Sequence, residues 1–178
     1  EKYRSIFENV QEGIFQTTSE GKYISANPKL AEIYGFESAD DLINSFCDTA
    51  HDVYADPSRR AEFIRLMQET DVIHNFESKA RRRNGEIIWI SENVRTVKSR
   101  DDKLLYYEGT VIDITNQKKT SEALHESELL YHSLVESIPQ NIVRKNLKGE
   151  FTFANQKFCQ TVNKPIEEIL GKTDYNLS

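Results

Sequence analysis

The 178-residue sequence predicts an α+β fold: an antiparallel sheet with helices on one face, then a helical linker and an incomplete second copy of the same unit. Three observations predict it. Two short β-rich runs are followed by helix-forming stretches and then by three long β-rich runs. The long runs are joined by Asn84-Gly85 and by the polar turn Ser99–Lys103, connections short enough to impose antiparallel pairing. Finally, the start of the chain recurs near its end. An ungapped shift of 128 positions, Tyr3 to Tyr131, carries Ser5, Glu8, Ile14, Gly21, Ala26, Asn27, Lys29 and Leu42 onto Ser133, Glu136, Ile142, Gly149, Ala154, Asn155, Lys157 and Leu170.

Taken in order, Tyr3, Ile6 and Val10 have the 3–4 spacing of an amphipathic helix. Ile14–Thr18, the turn Glu20-Gly21 and Tyr23–Ala26 read as a β-hairpin. Asn27-Pro28 joins a strong N-cap to a residue pre-organised for the first helical position, so a helix starts there and runs through Leu30, Ile33 and Tyr34 to Gly35. Ser38-x-x-Asp41 resembles a capping box for a short helix with Leu42 and Ile43. Asp56-Pro57 repeats the cap-plus-proline device before a longer helix over residues 57–70, with Phe63, Ile64 and Met67 on one side. The three β runs are expected at 73–82, 86–98 and 104–114. Ile87–Ile90 and Leu104–Tyr107 are apolar without alternation, so the outer sheet face is expected to be covered by a flanking helix or a second protomer.

Residues 116–138 contain neither Gly nor Pro. Leu124, Ser127, Tyr131, Leu134 and Ile138 alternate at 3 and 4 spacing among Glu122, Glu126 and Glu128, a short coiled-coil-like stripe with one polar position. The expected organisation is a first domain over 1–115 (its entering helix being 1–12), a helix over 116–138 and the first half of a second domain over 139–178.

Composition narrows the function. The chain carries a formal net charge of −6 and 29% charged residues, which disfavours nucleic acid as a partner. Arg81–Arg83 precedes the turn Asn84-Gly85 and reads as a solvated hairpin end. No apolar run approaches the ~20 residues of a membrane span. Cys47 and Cys159 fit no disulfide framework, which points to a reducing, cytoplasmic setting, either free or as the cytoplasmic part of a membrane-anchored protein. The chain begins at Glu1 and stops inside its second repeat, so it is expected to be a piece of a longer protein.

The segment Gly21-Lys22-Tyr23-Ile24-Ser25-Ala26-Asn27-Pro28, the run Arg83-Asn84-Gly85 before Ile88–Asn93, and Tyr107–Thr115 ending in Asp113-Ile114-Thr115 resemble PAS domains with their C-terminal PAC segment. Gly171-Lys172-Thr173-Asp174 fits the same family in the second copy. The resemblance covers residues 3–115 and, as a first half, 131–178. It implies a five-stranded antiparallel sheet flanked by helices and a sensory or dimerisation role upstream of a histidine kinase, diguanylate cyclase or related output. Asp113, Ile114 and Thr115 would hand the signal to the helix, with Leu124, Tyr131 and Leu134 carrying it onward as a homodimer through the sheet face and this helix.

By family position, Phe15, Tyr34, Phe63, Met67 and Phe76 would line a small-molecule pocket between sheet and helices, with Arg95 and Glu108 as polar anchors. The opposing reading of the same aromatic residues is a filled core. Cofactor identity stays unknown. Haem is not expected, because the family's axial ligand lies on the long helix and residues 57–70 contain no histidine. Flavin photochemistry is not expected either, because neither Cys47-Asp48 nor Cys159-Gln160 supplies an Asn-Cys-Arg-like motif. His51 near Cys47, Asp48 and Asp52 matches no closed zinc spacing, so no metal is expected. His125 and His132 lie beside Glu126 and Glu128 on a solvated helix face, and no phosphate loop or nucleophile elbow is present, so catalysis is not expected. Two readings stay open, a ligand-sensing input and a ligand-free dimerisation and relay scaffold.

Overall fold

The computed structural model describes residues 2–45 and 53–177. Its elements are α1 (Lys2–Asn9), β1 (Gly13–Thr17), β2 (Tyr23–Ala26), α2 (Pro28–Tyr34), α3 (Ala39–Ser45), α4 (Pro57–Thr70), β3 (Val72–Arg81), β4 (Ile87–Lys98), β5 (Leu104–Asp113) and α5 (Thr115–Ser137). They continue as β6 (Val143–Lys145), β7 (Phe151–Ala154), α6 (Gln156–Val162), α7 (Ile166–Ile169) and α8 (Asp174–Leu177). The chain divides into two compact units at Lys119/Thr120.

The first unit is a five-stranded antiparallel sheet in the order β2-β1-β5-β4-β3. The hairpin β3–β4 closes at Asn84-Gly85, where Gly85 takes φ 86° and the Arg82 amide donates to the Glu86 carbonyl at 2.8 Å. A positive φ of this kind costs a glycine nothing sterically, which is why the pair marks the turn. The helix starts are made by the residues the sequence singles out. Asn27 caps α2 and Asp56 caps α4, each with proline in the first turn, and the Ser38 hydroxyl accepts from the Asp41 amide at 3.1 Å.

Period-two alternation decides what enters the core. Phe15 and Thr17 of β1, Phe76, Ser78 and Ala80 of β3, Ile88, Ile90, Glu92 and Val94 of β4, and Tyr107 and Val111 of β5 are all buried. Leu30, Ile33 and Tyr34 of α2 and Arg60, Phe63 and Met67 of α4 close over them. Phe63 is the hub, its ring 5.7 Å from Phe76, 6.4 Å from Tyr107 and 6.4 Å from Tyr54. Burying each such side chain contributes about 1.5–3 kcal/mol.

In the second unit β6 and β7 form a two-stranded antiparallel sheet, and Phe151, Ala154 and Ile169 make the core with Phe158, Cys159, Val162, Ile166 and Leu177 around it. Among the described residues no helix is long and apolar enough to cross a membrane.

Candidate functional site

The buried charged side chains of the first unit, Arg60 and Glu92, meet at one place in its interior. Thr17, Tyr23, Tyr54, Arg60 and Glu92 meet Phe15, Val53 and Phe63 around a chamber of about 20 Å³, measured as space open to the centre of a water molecule. That is room for one water. Arg60 and Glu92 are 8% and 5% exposed, although Arg and Glu are almost never buried without a partner.

Glu92 is held by the Tyr54 hydroxyl, which donates to its Oε2 at 2.7 Å. Burial pushes its carboxyl up to about 7, against the opposing pull of the Tyr54 hydrogen bond and the Arg60 charge. The Arg60 guanidinium lies 5.0 Å from the Phe63 ring centre and 5.9 Å from that of Tyr54, a cation–π setting. Its Nε is buried without a hydrogen-bond partner, and no carboxylate of the described residues lies within 4.0 Å of it. Burial also raises the Tyr23, Tyr34 and Tyr54 hydroxyls, so they stay protonated as donors.

Sequence reasoning reached the apolar half of this place. Phe15, Tyr34, Phe63, Met67 and Phe76 are all buried in the core, and Phe15 and Phe63 line the chamber itself. Its polar residues are Thr17, Tyr23, Tyr54, Arg60 and Glu92, and Arg95 and Glu108 are not among them. Arg95 and Glu108 lie on the opposite, outer sheet face, where Arg95 Nε donates to Glu108 Oε1 at 2.8 Å and Gln16 Nε2 to Glu108 Oε2 at 3.3 Å. Arg95 holds the Glu108 carboxyl below its ordinary range. The reason is pleat parity: Glu92 and Val94 face in, so Arg95 faces out, and Tyr107 in puts Glu108 out. The signal that Arg60 and Glu92 face inward lies in the same pattern. Glu92 continues the inward series Ile88, Ile90, and Arg60 sits three and seven residues before Phe63 and Met67 on one helix face.

The outer face carries a groove of about 460 Å³, lined by Ile14, Gln16, Val72, His74, Arg95 and Glu108, with Phe7 of α1 contributing at its edge. Ile87, Leu104, Leu105 and Ile112 of the sheet are left exposed.

The exit from the sheet is built by the three residues expected to transmit. Asp113 Oδ1 accepts from the Thr115 amide at 2.9 Å, and Asp113 Oδ2 accepts from Arg82 Nη2 at 2.9 Å. Thr115 Oγ1 accepts from the Trp89 amide, the Ile114 amide donates to the Trp89 carbonyl, and Arg82 Nε reaches the Ile33 carbonyl. The first turn of α5 is thereby tied to β4 directly and to α2 through Arg82. Further along, Leu124, Tyr131 and Leu134 are 60%, 65% and 55% exposed, while Val135 is buried in the second unit.

Cys47, Asp48, His51 and Asp52 lie outside the described residues. His74, His125 and His132 are exposed, and Cys159 is half-buried.

A family model described as PAS domain matches residues 11–116, and a second of the same description matches residues 129–177. The chain is similar to the sensor histidine kinase TmoS of Ectopseudomonas mendocina, 24% identical over 173 residues that make up 95% of this chain and 16% of that protein. It is also similar to sporulation kinase C of Bacillus subtilis (strain 168), 27% identical over 127 residues, 71% of this chain and 29% of that one. The chain thus spans less than a third of the length of these curated relatives. Among solved structures, that of a sensory box histidine kinase/response regulator from Burkholderia thailandensis E264 has a TM-score of 0.55 at 17% identity, covering 75% of this chain and 99% of the other.

Proposed function

Because the chain belongs to the PAS domain family, we propose that it is the sensory input and relay portion of a longer signal-transduction protein. In this reading a small molecule enters the chamber between sheet and helices. The change is passed through Asp113, Ile114 and Thr115 into α5, and the protein works as a homodimer through the outer sheet face and the exposed Leu124, Tyr131 and Leu134. The similarity to two kinases favours a histidine kinase as the output, with a diguanylate cyclase as the alternative, and the chain itself is not the enzyme.

The observation that carries this reading is the buried Arg60–Glu92–Tyr54 cluster. Replacing buried charges by well-packed apolar residues of similar volume is often neutral or stabilising, so packing alone does not call for Arg60 and Glu92 at these positions. A domain that retains two buried charges without a direct ion pair has a use for them. A second reading, a ligand-free dimerisation and relay scaffold, draws support from the chamber itself, which has room for only one water.

Denaturing mass spectrometry and an absorption spectrum of the purified protein separate the two. A stoichiometric co-purifying compound, or a metabolite that slows amide exchange at both Glu92 and Thr115, supports sensing. A protein that self-associates yet responds to no compound in a metabolite screen supports the scaffold.

A further inference from the structure

The Arg60 guanidinium is a buried cation with a free Nε–H and apolar or aromatic neighbours. Its planar fork matches a carboxylate, and a buried charge without such a partner is costly. The Glu92 carboxyl shares the chamber yet stands too far from Arg60 to serve as that partner. Resting on the reading of the chamber as the sensory site, we propose that its ligand is a small aliphatic monocarboxylate. Its oxygens lie on Arg60, its tail lies against Phe15, Val53 and Phe63, and each carboxylate enters together with one proton that Glu92 keeps.

The proton follows from charge. Arg60 and an ionised Glu92 sum to zero, so a second carboxylate would bury an unbalanced negative charge. Protonation of Glu92 restores neutrality and turns a repelling acceptor into an O–H donor for a ligand oxygen. No bond breaks other than the one that gives up a solvent proton, and the Tyr54 hydroxyl donates to Glu92 Oε2 in either state. Among the described residues, the titratable or charged groups facing Glu92 are Arg60 of α4, Tyr54, Tyr34 of α2 and Tyr23 of β2. The three tyrosines stay neutral, so Arg60 and Glu92 alone set the balance. An amine would meet Arg60 with like charge, and an alcohol offers a single acceptor atom to the fork.

A carboxylate is larger than the one water the chamber holds, so its entry must part the walls. The Val53–Ala55 wall is fastened to β3, with the Arg81 amide donating to the Val53 carbonyl at 2.7 Å and the Ala55 amide to the Lys79 carbonyl at 2.9 Å. α4, which carries Arg60 and Phe63, meets β3 there through a side chain, Arg59 Nη2 donating to the Glu77 carbonyl at 2.5 Å, and is the wall assigned to move. The ligand therefore favours one placement of α4 over another, the differential affinity that a sensor requires.

The test is calorimetric titration of the 178-residue protein with propionate, 1-propanol and propylamine at pH 6 and 8, in buffers of different ionisation enthalpy, alongside the NMR signal of Arg60 Nε. Propionate is expected to bind, to move the Arg60 Nε signal, to weaken about tenfold per pH unit above 7 and to take up one proton at pH 8. Glu92→Gln is expected to keep propionate binding and lose its pH dependence, and Arg60→Gln to weaken it at least tenfold. Propanol or propylamine binding as tightly as propionate overturns the carboxylate class but leaves the chamber as a sensory site. Propionate affinity that is flat with pH overturns the coupled proton. An Arg60 Nε signal that none of the three compounds moves overturns the chamber reading as well. These readouts on the unmodified protein stand even where a variant fails to fold.

Discussion

Asn27 and Asn155, 128 positions apart, make the same four side-chain hydrogen bonds in their own units. Asn27 Oδ1 accepts from the amides of Ile14 and Leu30, and Nδ2 donates to the carbonyls of Phe7 and Glu12. Asn155 Oδ1 accepts from Ile142 and Phe158, and Nδ2 donates to Val135 and Gln140. Both are 0% exposed. Each side chain pins the end of an incoming helix, a hairpin strand and the start of the next helix to one point, so the incoming helix and the sheet are mechanically joined.

Asn27→Ala removes the side-chain partner of four backbone groups, one in a buried bond and three in part-buried ones that water can reach, and is expected to cost about 2–4 kcal/mol, since an unsatisfied buried group costs about 1–3. Trp89, the single tryptophan, reports the first unit. Its fluorescence in urea should shift to a lower midpoint in Asn27→Ala and stay put in Asn155→Ala. Equal shifts in both would mean that the two units unfold together.

Glu92 gives the first unit a specific pH profile. Its carboxyl sits at about 7 against an ordinary 4.5, so between those values the folded state binds the proton that the unfolded chain has released. Stability is expected to fall as pH rises from 4.5 through 7 and to level above it, by on the order of 3 kcal/mol for this group. Glu92→Gln should flatten that slope and exceed the parent protein in stability at pH 8. Urea titrations at several pH values check it, and parallel slopes for both proteins would reject the assignment.

At the exit from the sheet, Asp113→Ala removes the acceptor of the Thr115 amide and the partner of Arg82. Both side chains of the Arg82–Asp113 pair are about a quarter exposed, so solvent screening keeps the cost small, about 1 kcal/mol. The sharper readout is local: amide exchange at Thr115 and Lys118 should speed up while that of Ile90 and Val94 is unchanged. Uniform acceleration would mean that Asp113 supports the whole sheet instead of the joint.

Leu134→Asp and Tyr131→Asp bear on the relay. Both positions are more than half exposed, so neither change should cost the fold more than about 0.5 kcal/mol. In sedimentation equilibrium each is expected to weaken self-association. Unchanged association in both variants would take the α5 stripe out of the dimer interface.

The sequence by itself determined the order of elements, the five-stranded antiparallel sheet and the duplication, because turn chemistry and capping are local. Asn84-Gly85, Asn27-Pro28 and Asp56-Pro57 each act within a few residues, and the structure places turn and helix starts at them. It also determined that Phe15, Tyr34, Phe63, Met67 and Phe76 are inside. Only the tertiary structure decided which polar residues join them. Arg95 and Glu108 pair across neighbouring strands on the outer face, whereas Arg60 and Glu92, 32 positions apart, share a chamber that exists only when α4 closes over β4. Local rules fix which face a residue takes along its own strand or helix. Which residue waits across the gap is fixed by packing between elements, and there the sequence carries alternation but no distance.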